Sequence, residues 1–250
     1  MNSTVIIIFA KAPQPGAVKT RLIPLLGAEG AAALHVKLVR HTLDTVRAAA
    51  LKPVELHGAP DIEDSFFRFC GGQYGVILEP QASGDLGARM RCAFGKALAT
   101  HARALLIGTD CPALTARHLR QADRALREGA DAVCVPCEDG GYALIGLTRV
   151  DARLFEGITW GGDSVMDDTR ARLENSAGRG VNWKPCGTSI APKTMRAWRN
   201  PACSTPSTPL PDLTSLCHFV TVIRDALHPP CLLRRSSSAG GPLAAGPAVR

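Results

Sequence analysis

Short apolar runs alternate with longer amphipathic stretches over most of this chain. Residues 5–9 and 104–107 contain no charged side chain and have the composition of strands buried on both faces of a sheet. Residues 27–50 and 115–127 repeat their apolar positions at helical spacing. This alternation predicts an α/β fold, with a mostly parallel central sheet flanked by helices and its functional loops at one edge.

The length of the chain sets its domain organisation. In 250 residues there is room for one large α/β domain and an appendage. No run of about 18 apolar residues is present, so we predict no membrane span. The apolar start lacks a basic leader and continues directly into Lys11, which favours a strand over a signal peptide and predicts a cytoplasmic protein.

Positive charge is concentrated at the end of the chain. Residues 189–250 carry +5 of the net charge of +7, and they hold nine of the 18 prolines. We therefore divide the chain into a domain at residues 1–188 and a basic, Pro/Ser-rich tail at 189–250, whose composition resists packing. The domain itself is nearly balanced, and basic and aromatic residues do not interleave, so nucleic-acid binding is not expected.

An aspartate follows the apolar run at residues 104–107. Gly108 allows a turn, and Asp110 comes where the strand should end. Ligands bind at this edge of an open α/β sheet, and a carboxylate there suits a hard cation, Mg²⁺ or Mn²⁺, which binds phosphate oxygens in turn. The alternative is a carboxylate that only caps a turn before the next helix.

A stiff, cationic loop follows the first predicted strand. Prolines and Gly16 shape it, and it carries Lys11, Lys19, Thr20 and Arg21. Its charges and its free backbone N–H groups suit a diphosphate or triphosphate. It is not a Walker A loop, because valine replaces the glycine before the lysine. A solvated basic turn is the alternative.

Two further loops have the composition of ligand-binding segments. The first contains Asp85, Gly87 and Arg89, and either approaches a nucleotide or merely caps a helix. The second runs from Glu138 to Tyr142 and contains two adjacent glycines behind two acids. Such a loop can form a pocket wall with a carboxylate base, although Asp-Gly is also a strong hairpin signal.

The nine cysteines do not form a disulfide or zinc pattern. They are scattered, and the one local pair is Cys134-x-x-Cys137 at the end of a predicted strand. No second pair or couple of histidines accompanies it, so reduced, buried thiols are the expectation rather than a metal or redox motif.

The order and spacing of these motifs resemble a known bacterial family. They are Lys11-x-Pro-x-Pro-Gly-x-Val-Lys-Thr-Arg-Leu22, Gly84-Asp-Leu-Gly-x-Arg-Met90, Gly108-Thr-Asp-Cys-Pro112, Glu138-Asp-Gly-Gly-Tyr-x-Leu-Ile-Gly146 and Leu154-Phe-x-x-Ile-x-Trp160. Together they are similar to the rSAM/selenodomain-associated transferase 1 family, also described as arsenosugar-biosynthesis glycosyltransferases, of the nucleotide-diphospho-sugar transferase superfamily with the GT-A fold.

The resemblance implies a role for each loop. By it, the first loop (Lys11, Gly16, Lys19, Thr20 and Arg21) lies on the phosphate side, and Asp85, Gly87 and Arg89 face the nucleotide. Asp110 meets the divalent metal. Gly140, Gly141 and Tyr142 lie on the acceptor side, with Asp139 or Glu138 as the catalytic base.

Three functions fit this pattern. The first is a metal-dependent transferase that moves a sugar from a nucleotide-diphospho-sugar to a small-molecule acceptor. The second is a guanylyltransferase-like nucleotidyltransferase that takes an NTP and releases pyrophosphate. The third is a nucleotide-binding protein without turnover. The third gains weight because the family's closing Asp-x-Asp-Thr-Pro segment is absent beyond about residue 181, and we hypothesise that the tail is a frameshifted reading of the original end.

Overall fold

The architecture was taken from a computed structural model, which describes residues 3–177 and 183–185. Its strands are β1 (Thr4–Lys11), β2 (Val54–Ala59), β3 (Ile77–Pro80), β4 (Arg103–Ile107), β5 (Ala132–Pro136), β6 (Tyr142–Leu147) and β7 (Trp183–Pro185). Its helices are α1 (Ile23–Ala49, interrupted at Gly27), α2 (Ser65–Tyr74), α3 (Leu86–Thr100), α4 (Ala116–Arg127) and α5 (Val165–Ala177).

The strands form one sheet in the order β3-β2-β1-β4-β6-β5-β7. Pairing is parallel throughout except for β6, which is antiparallel to both β4 and β5. The predicted α/β fold with a mostly parallel sheet is confirmed. The antiparallel strand arises because β5 and β6 form a hairpin, joined by the loop that contains Asp139-Gly140.

Helices cover both faces of the sheet. On β1, Ile6 and Ile8 belong to the core shared with α1, α2 and α4. Val5 and Ile7 belong to the second core, which α3 and α5 complete. Alternate residues of a strand point to opposite faces, so a strand buried by helices on both sides must be apolar throughout, as residues 5–8 are.

One segment, Thr20–Ala49, is long and apolar enough to cross a membrane by length and composition alone. It consists of a short 3₁₀ turn and α1. Val39, Leu43 and Val46 of α1 are buried in the core beneath the sheet. That packing accounts for the apolar face of the helix.

Local backbone geometry and capping set two element boundaries. The third strand begins at Ile77, because Gly75 ends α2 in the left-handed conformation, at φ 63°. The helix before it begins at Ser65, because the Asp64 carboxylate accepts a hydrogen bond from the Phe66 N–H at 2.9 Å. The predicted tail at 189–250 lies outside the described residues.

Candidate active site

The sheet changes winding direction between β1 and β4. From β1 the chain moves outward to β2 and β3, then returns to place β4 on the other side of β1. The crevice at the carboxyl ends of two such strands is where open α/β sheets bind ligands. The loop at residues 12–22 follows β1 and the loop at residues 108–112 follows β4, so the topology brings the two predicted loops together.

Lys19 and Asp110 join these loops across the crevice. The Lys19 Nζ donates to Asp110 Oδ1 at 2.5 Å, although 91 residues separate the two in sequence. The lysine side chain is 8% exposed, whereas that of Asp110 is 68% exposed. Lys19 adopts the left-handed conformation, at φ 48° and ψ 37°. Such a conformation is rare outside glycine and is often found where a functional side chain must be aimed.

The charge state of Asp110 follows from this pairing. Desolvation would raise the pKa of the carboxyl group, but the adjacent Lys19 ammonium, by its charge and its hydrogen bond, outweighs this and lowers the pKa. Asp110 is therefore a carboxylate at neutral pH. Its Oδ2 accepts no hydrogen bond from the described part of the chain, so one oxygen remains available to a ligand.

Asp110 fits a cation that takes most of its ligands from the substrate and from water. Among the described residues, no group of three or more His, Cys, Asp or Glu side chains could hold a metal. Mg²⁺ commonly uses one or two carboxylates, with substrate phosphates and water as its other ligands. Asp110, with a free oxygen beside a basic loop, fits that arrangement and does not fit a cage made of protein ligands alone.

The remaining polar residues of the basic loop are open to solvent. Lys11, Thr20 and Arg21 are exposed, and Lys11 and Arg21 make no ion pair within the described residues. Gly16 takes φ 82°, a conformation that favours glycine. Buried Val18 anchors the loop in the core. The loop thus presents two unpaired cations beside the Lys19–Asp110 pair.

Two histidines of α1 hold the loops in place, and the sequence analysis assigned neither a role. The ring Nε2 of His35 lies 2.9 Å from the Lys11 carbonyl oxygen, and that of His41 lies 3.0 Å from the Pro112 carbonyl oxygen. A carbonyl only accepts, so each Nε2 carries the proton. The only signal in the sequence was two histidines within an amphipathic helix.

Burial of His35 makes the stability of the fold depend on pH. His35 is 4% exposed, and desolvation, aided by the charge of Lys19, lowers its pKa below the ordinary 6.5. The unfolded chain therefore binds a proton at a pH where the folded chain does not. The stabilisation from the neutral ring is complete above about pH 6.5 and is lost as the pH falls through the depressed value.

We expect His35→Gln, whose amide can still donate to the Lys11 carbonyl, to remove part of this pH dependence. The measurement is the melting temperature of both proteins between about pH 8 and pH 5. The wild-type protein should lose more stability than the variant below about pH 6.5. If the melting temperatures of the two proteins changed in parallel over the whole pH range, burial of the His35 ring would not be the source of the pH dependence.

The loop before α3 is fixed by internal hydrogen bonds. Asp85 caps α3, its carboxylate accepting from the Ala88 N–H at 2.8 Å. Arg89 donates from Nε to the Gly84 carbonyl at 2.9 Å. The Gln81 amide donates to the Ala10 and His57 carbonyls at 3.0 and 2.8 Å, which ties the loop to the ends of β1 and β2. Helix capping, the alternative reading of Asp85, is therefore present, and nucleotide contact by Asp85 and Arg89 stays a prediction.

Gly87 is buried rather than open to the crevice. A Cβ at this position would lie 2.4 Å from the Phe155 carbonyl oxygen and 2.7 Å from the Trp160 Nε1. Close packing of α3 against residues 155–160 thus explains the glycine. Direct contact of Gly87 with a nucleotide stays a prediction.

The acidic loop between β5 and β6 is a hairpin turn with one exposed acid. Glu138 is exposed, whereas the Asp139 Oδ1 accepts a hydrogen bond from the Gly141 N–H at 3.2 Å. The Gly140 carbonyl accepts from the Met166 N–H at 2.8 Å, which docks the start of α5 on the loop. The hairpin interpretation is confirmed, and the two carboxylates differ in how freely they can reach a substrate.

Tyr142 belongs to the core more than to the crevice. It packs against the α3/α5 side of the sheet, and its hydroxyl donates to the Met90 Sδ at 3.9 Å. Burial raises the pKa of this phenol well above its ordinary value, so it stays protonated. The acceptor-side role of Tyr142 stays a prediction.

Comparison with known proteins gives a family match and a structural likeness that extends over most of the chain. A family model described as an uncharacterized protein conserved in bacteria (DUF2064) matches residues 42–162. The crystal structure of a protein provisionally described as a nucleotide-diphospho-sugar transferase, from Desulfovibrio desulfuricans G20, is 27% identical. It has a TM-score of 0.66, and the likeness covers 90% of this chain and 99% of that one. The chain has a nucleotide-diphospho-sugar transferase fold.

More distant structures were also found. The 4-diphosphocytidyl-2C-methyl-D-erythritol synthase of Anaerococcus prevotii DSM 20548 is 15% identical, with a TM-score of 0.48 over 76% of this chain and 89% of that one. A nucleotidyl transferase from Methanothermobacter thermautotrophicus is 14% identical, with a TM-score of 0.46 over 75% and 89%. Likenesses this distant do not bear on function. No curated protein matches the chain.

Proposed function

We propose that this protein is a metal-dependent transferase that uses a nucleotide-diphospho-sugar as donor. The observation that carries the proposal is the Lys19–Asp110 pair, which lies where the sheet changes winding direction between β1 and β4. The pair leaves one Asp110 oxygen free, beside the unpaired cations Lys11 and Arg21. The 27% identical structure from Desulfovibrio desulfuricans G20, provisionally described as a nucleotide-diphospho-sugar transferase, supports a transferase of this class. The finer assignment, to the rSAM/selenodomain-associated transferases, is part of the proposal and rests on the motifs.

In this mechanism the basic loop and Asp110 bind the diphosphate. Lys11 and Arg21 are free to contact phosphate oxygens, and the Lys19 ammonium turns from Asp110 to share them. Asp110 would hold a Mg²⁺ or Mn²⁺ ion through its carboxylate. When bound, that ion would supply positive charge to neutralise the charge that develops on the departing nucleotide.

The acidic hairpin places the acceptor in this proposal. Glu138 has no hydrogen-bond or ion-pair partner in the described chain, so its carboxylate is free to accept the proton of the acceptor hydroxyl as that oxygen attacks the sugar. Asp139 is the alternative base, but its Oδ1 is already engaged by the Gly141 N–H. Gly140 is closely packed against Asp163, so of the two glycines it is Gly141 that would let a substrate approach the loop.

A nucleotidyltransferase is the second candidate. Three cations, Lys11 at the end of β1 and Lys19 and Arg21 on the loop after it, supply charge that suits a triphosphate as well as a diphosphate. In that reaction the acceptor attacks the α-phosphorus of an NTP and pyrophosphate leaves. Release of pyrophosphate separates the two reactions.

The experiment is a thermal-shift screen of the full chain with UDP-, GDP-, ADP- and CDP-sugars and the four NTPs, each with and without Mn²⁺. A ligand that binds the folded state at 100 times its Kd adds about 2.7 kcal/mol, or roughly 5–10 °C for a domain of this size. We expect such a shift with one nucleotide sugar, only with Mn²⁺ present. A shift with an NTP alone, followed by pyrophosphate release, would favour the second candidate. No shift with any donor would contradict both.

A further inference from the structure

Gln81 joins the loop after β3 to the carboxyl ends of β1 and β2. Its backbone N–H donates to the Gly58 carbonyl at 3.0 Å, and its side-chain Nε2 donates to the Ala10 and His57 carbonyls at 3.0 and 2.8 Å. Its Oε1 accepts from the Nη1 of Arg89 at 3.5 Å. The side-chain amide thus uses its N–H groups on the ends of two strands and turns its one acceptor toward Arg89.

These contacts fix the guanidinium of Arg89 at the edge of the sheet that carries the candidate site. Through Gln81 it is two hydrogen bonds away from Ala10, in the strand that leads into the basic loop. Its Nε also donates to the Gly84 carbonyl at 2.9 Å. Arginine has five N–H groups and no acceptor, and these contacts occupy two of them. In the described part of the chain, the other three have no protein acceptor.

Leu86 places apolar surface beside this guanidinium. It is 43% exposed and begins α3, three residues before Arg89. Side chains three apart on a helix are neighbours on its surface. Apolar surface with a few convergent polar groups is the composition of a small-molecule site. Here it suits a planar ring whose face packs on the leucine while its edge accepts from the arginine.

The order of the strands places this segment on the donor side of the proposed reaction. The Lys19–Asp110 pair lies between β1 and β4. The acidic hairpin follows β5, on the β4 side of that pair, and residues 81–89 follow β3, on the β1 side. A donor with its diphosphate at the pair and its sugar facing an acceptor at the hairpin therefore extends its nucleoside toward Arg89.

We propose that Gln81, Leu86 and Arg89 form the nucleobase subsite of the proposed transferase, and that this subsite selects guanine. Arg89 offers only donors, so it favours an edge with two neighbouring acceptors. Guanine has such an edge in O6 and N7, whereas adenine pairs N7 with a donor amino group, and cytosine and uracil have no second acceptor on the corresponding edge. Gln81 is a positioning residue, because it acts through Arg89. The proposal rests on the proposed function.

The test is a thermal-shift titration of the full chain with GDP, ADP, UDP and CDP, each with Mn²⁺. We expect GDP to bind about 5- to 150-fold more tightly than each of the others, which is the discrimination of one bidentate arginine–guanine contact. Two analogues locate that contact on the base. IDP keeps O6 and N7 and should bind as GDP does, whereas 7-deaza-GDP lacks N7 and should bind roughly tenfold more weakly.

Variants of the two polar residues test selectivity separately from stability. Arg89→Lys keeps the charge but loses the planar fork, and Gln81→Met keeps the length of the side chain but frees the arginine. In both, the ratio of GDP to ADP affinity should fall toward one, a readout that destabilisation alone would not move. Arg91→Lys is the matched control, because Arg91 lies on the same helix and pairs with Glu156 at 3.4 Å. It should keep the ratio.

A second pair of variants tests the apolar surface. Leu86→Ala should weaken all four nucleotides by a similar factor, because every base has an apolar face. Ile77→Ala, at a side chain that is 50% exposed on β3, should weaken none. Equal effects of the two substitutions would remove Leu86 from the subsite.

The outcomes separate this proposal from the proposed function. Equal binding of the four nucleotides, a preference for another base, weak binding of IDP, or an unchanged ratio in Arg89→Lys would overturn the guanine subsite and leave the proposed function standing. No shift with any nucleotide would overturn both. If Gln81→Met does not fold, Arg89→Lys decides, because it leaves the contacts of Gln81 with the strands intact.

Discussion

Replacing Asp110 by asparagine is expected to abolish the Mn²⁺-dependent shift with nucleotide and to lower transferase activity by at least about a hundredfold. The amide oxygen of the variant can still accept the hydrogen bond that Lys19 donates at 2.5 Å. The negative charge is lost, and with it the proposed ligand for the cation. The substitution therefore tests the charge at this position while it keeps the link between the two loops.

The melting temperature of the protein without ligand provides the internal check. Asp110 is 68% exposed, so removal of its charge should change the stability of the fold little. Lys19, whose side chain is 8% exposed, keeps a hydrogen-bond acceptor in the variant. A large fall in melting temperature would mean that the pair serves the fold, and the loss of binding would then carry no weight for the proposed function.

Asp44→Asn is the matched control. Asp44 is an exposed carboxylate on α1 that pairs with Arg47 at 2.7 Å, so the same chemical change is made at a surface ion pair. We expect the metal-dependent shift to survive there. If both variants lose it, a general effect of charge explains the result. If neither loses it, Asp110 is not the metal ligand.

The sequence was sufficient to predict the sheet and the loops at its edge. Buried strands such as residues 5–9 and 104–107 are apolar because helices cover both faces, and this pattern is visible without a structure. Lys19 and Asp110 were each singled out from their own motif. Their contact was not predictable from either motif, because it depends on β4 returning beside β1.

The contacts that the sequence did not predict involve groups that no sequence pattern identifies. His35 and His41 bind backbone carbonyl groups, which every residue possesses, so nothing in the sequence identifies the acceptors. Cys134 and Cys137 pack against opposite cores, so the fold separates the local pair. The short edge strand β7 (Trp183–Pro185) has no periodic pattern to reveal it.

Replacing Gly140 by alanine is expected to destabilise the protein by roughly 3 kcal/mol or more, which lowers the melting temperature by roughly 6–12 °C. Gly140 takes φ 84°, where a side chain is strained. A Cβ here would also lie 1.8 Å from the Asp163 carbonyl oxygen, and that neighbour is backbone. The chain at the start of α5 would have to move away.

The adjacent glycine supplies the control for this substitution. A Cβ at Gly141 meets only the Asp139 carboxylate, at 3.4 Å, and the backbone there does not have positive φ. Gly141→Ala should therefore change stability by no more than about 1 kcal/mol. Equal losses in the two variants would contradict the packing of α5 against this loop.

Amide hydrogen exchange shows which part of the fold Gly140→Ala disturbs. The Met166 N–H donates to the Gly140 carbonyl at 2.8 Å, so its protection from exchange reports whether α5 remains docked on the hairpin. We expect Gly140→Ala to lose that protection and Gly141→Ala to keep it. Since Glu138 and Asp139 stand on the same turn, undocking of α5 would also release the two candidate bases, and a loss of activity would then accompany the loss of protection in Gly140→Ala alone.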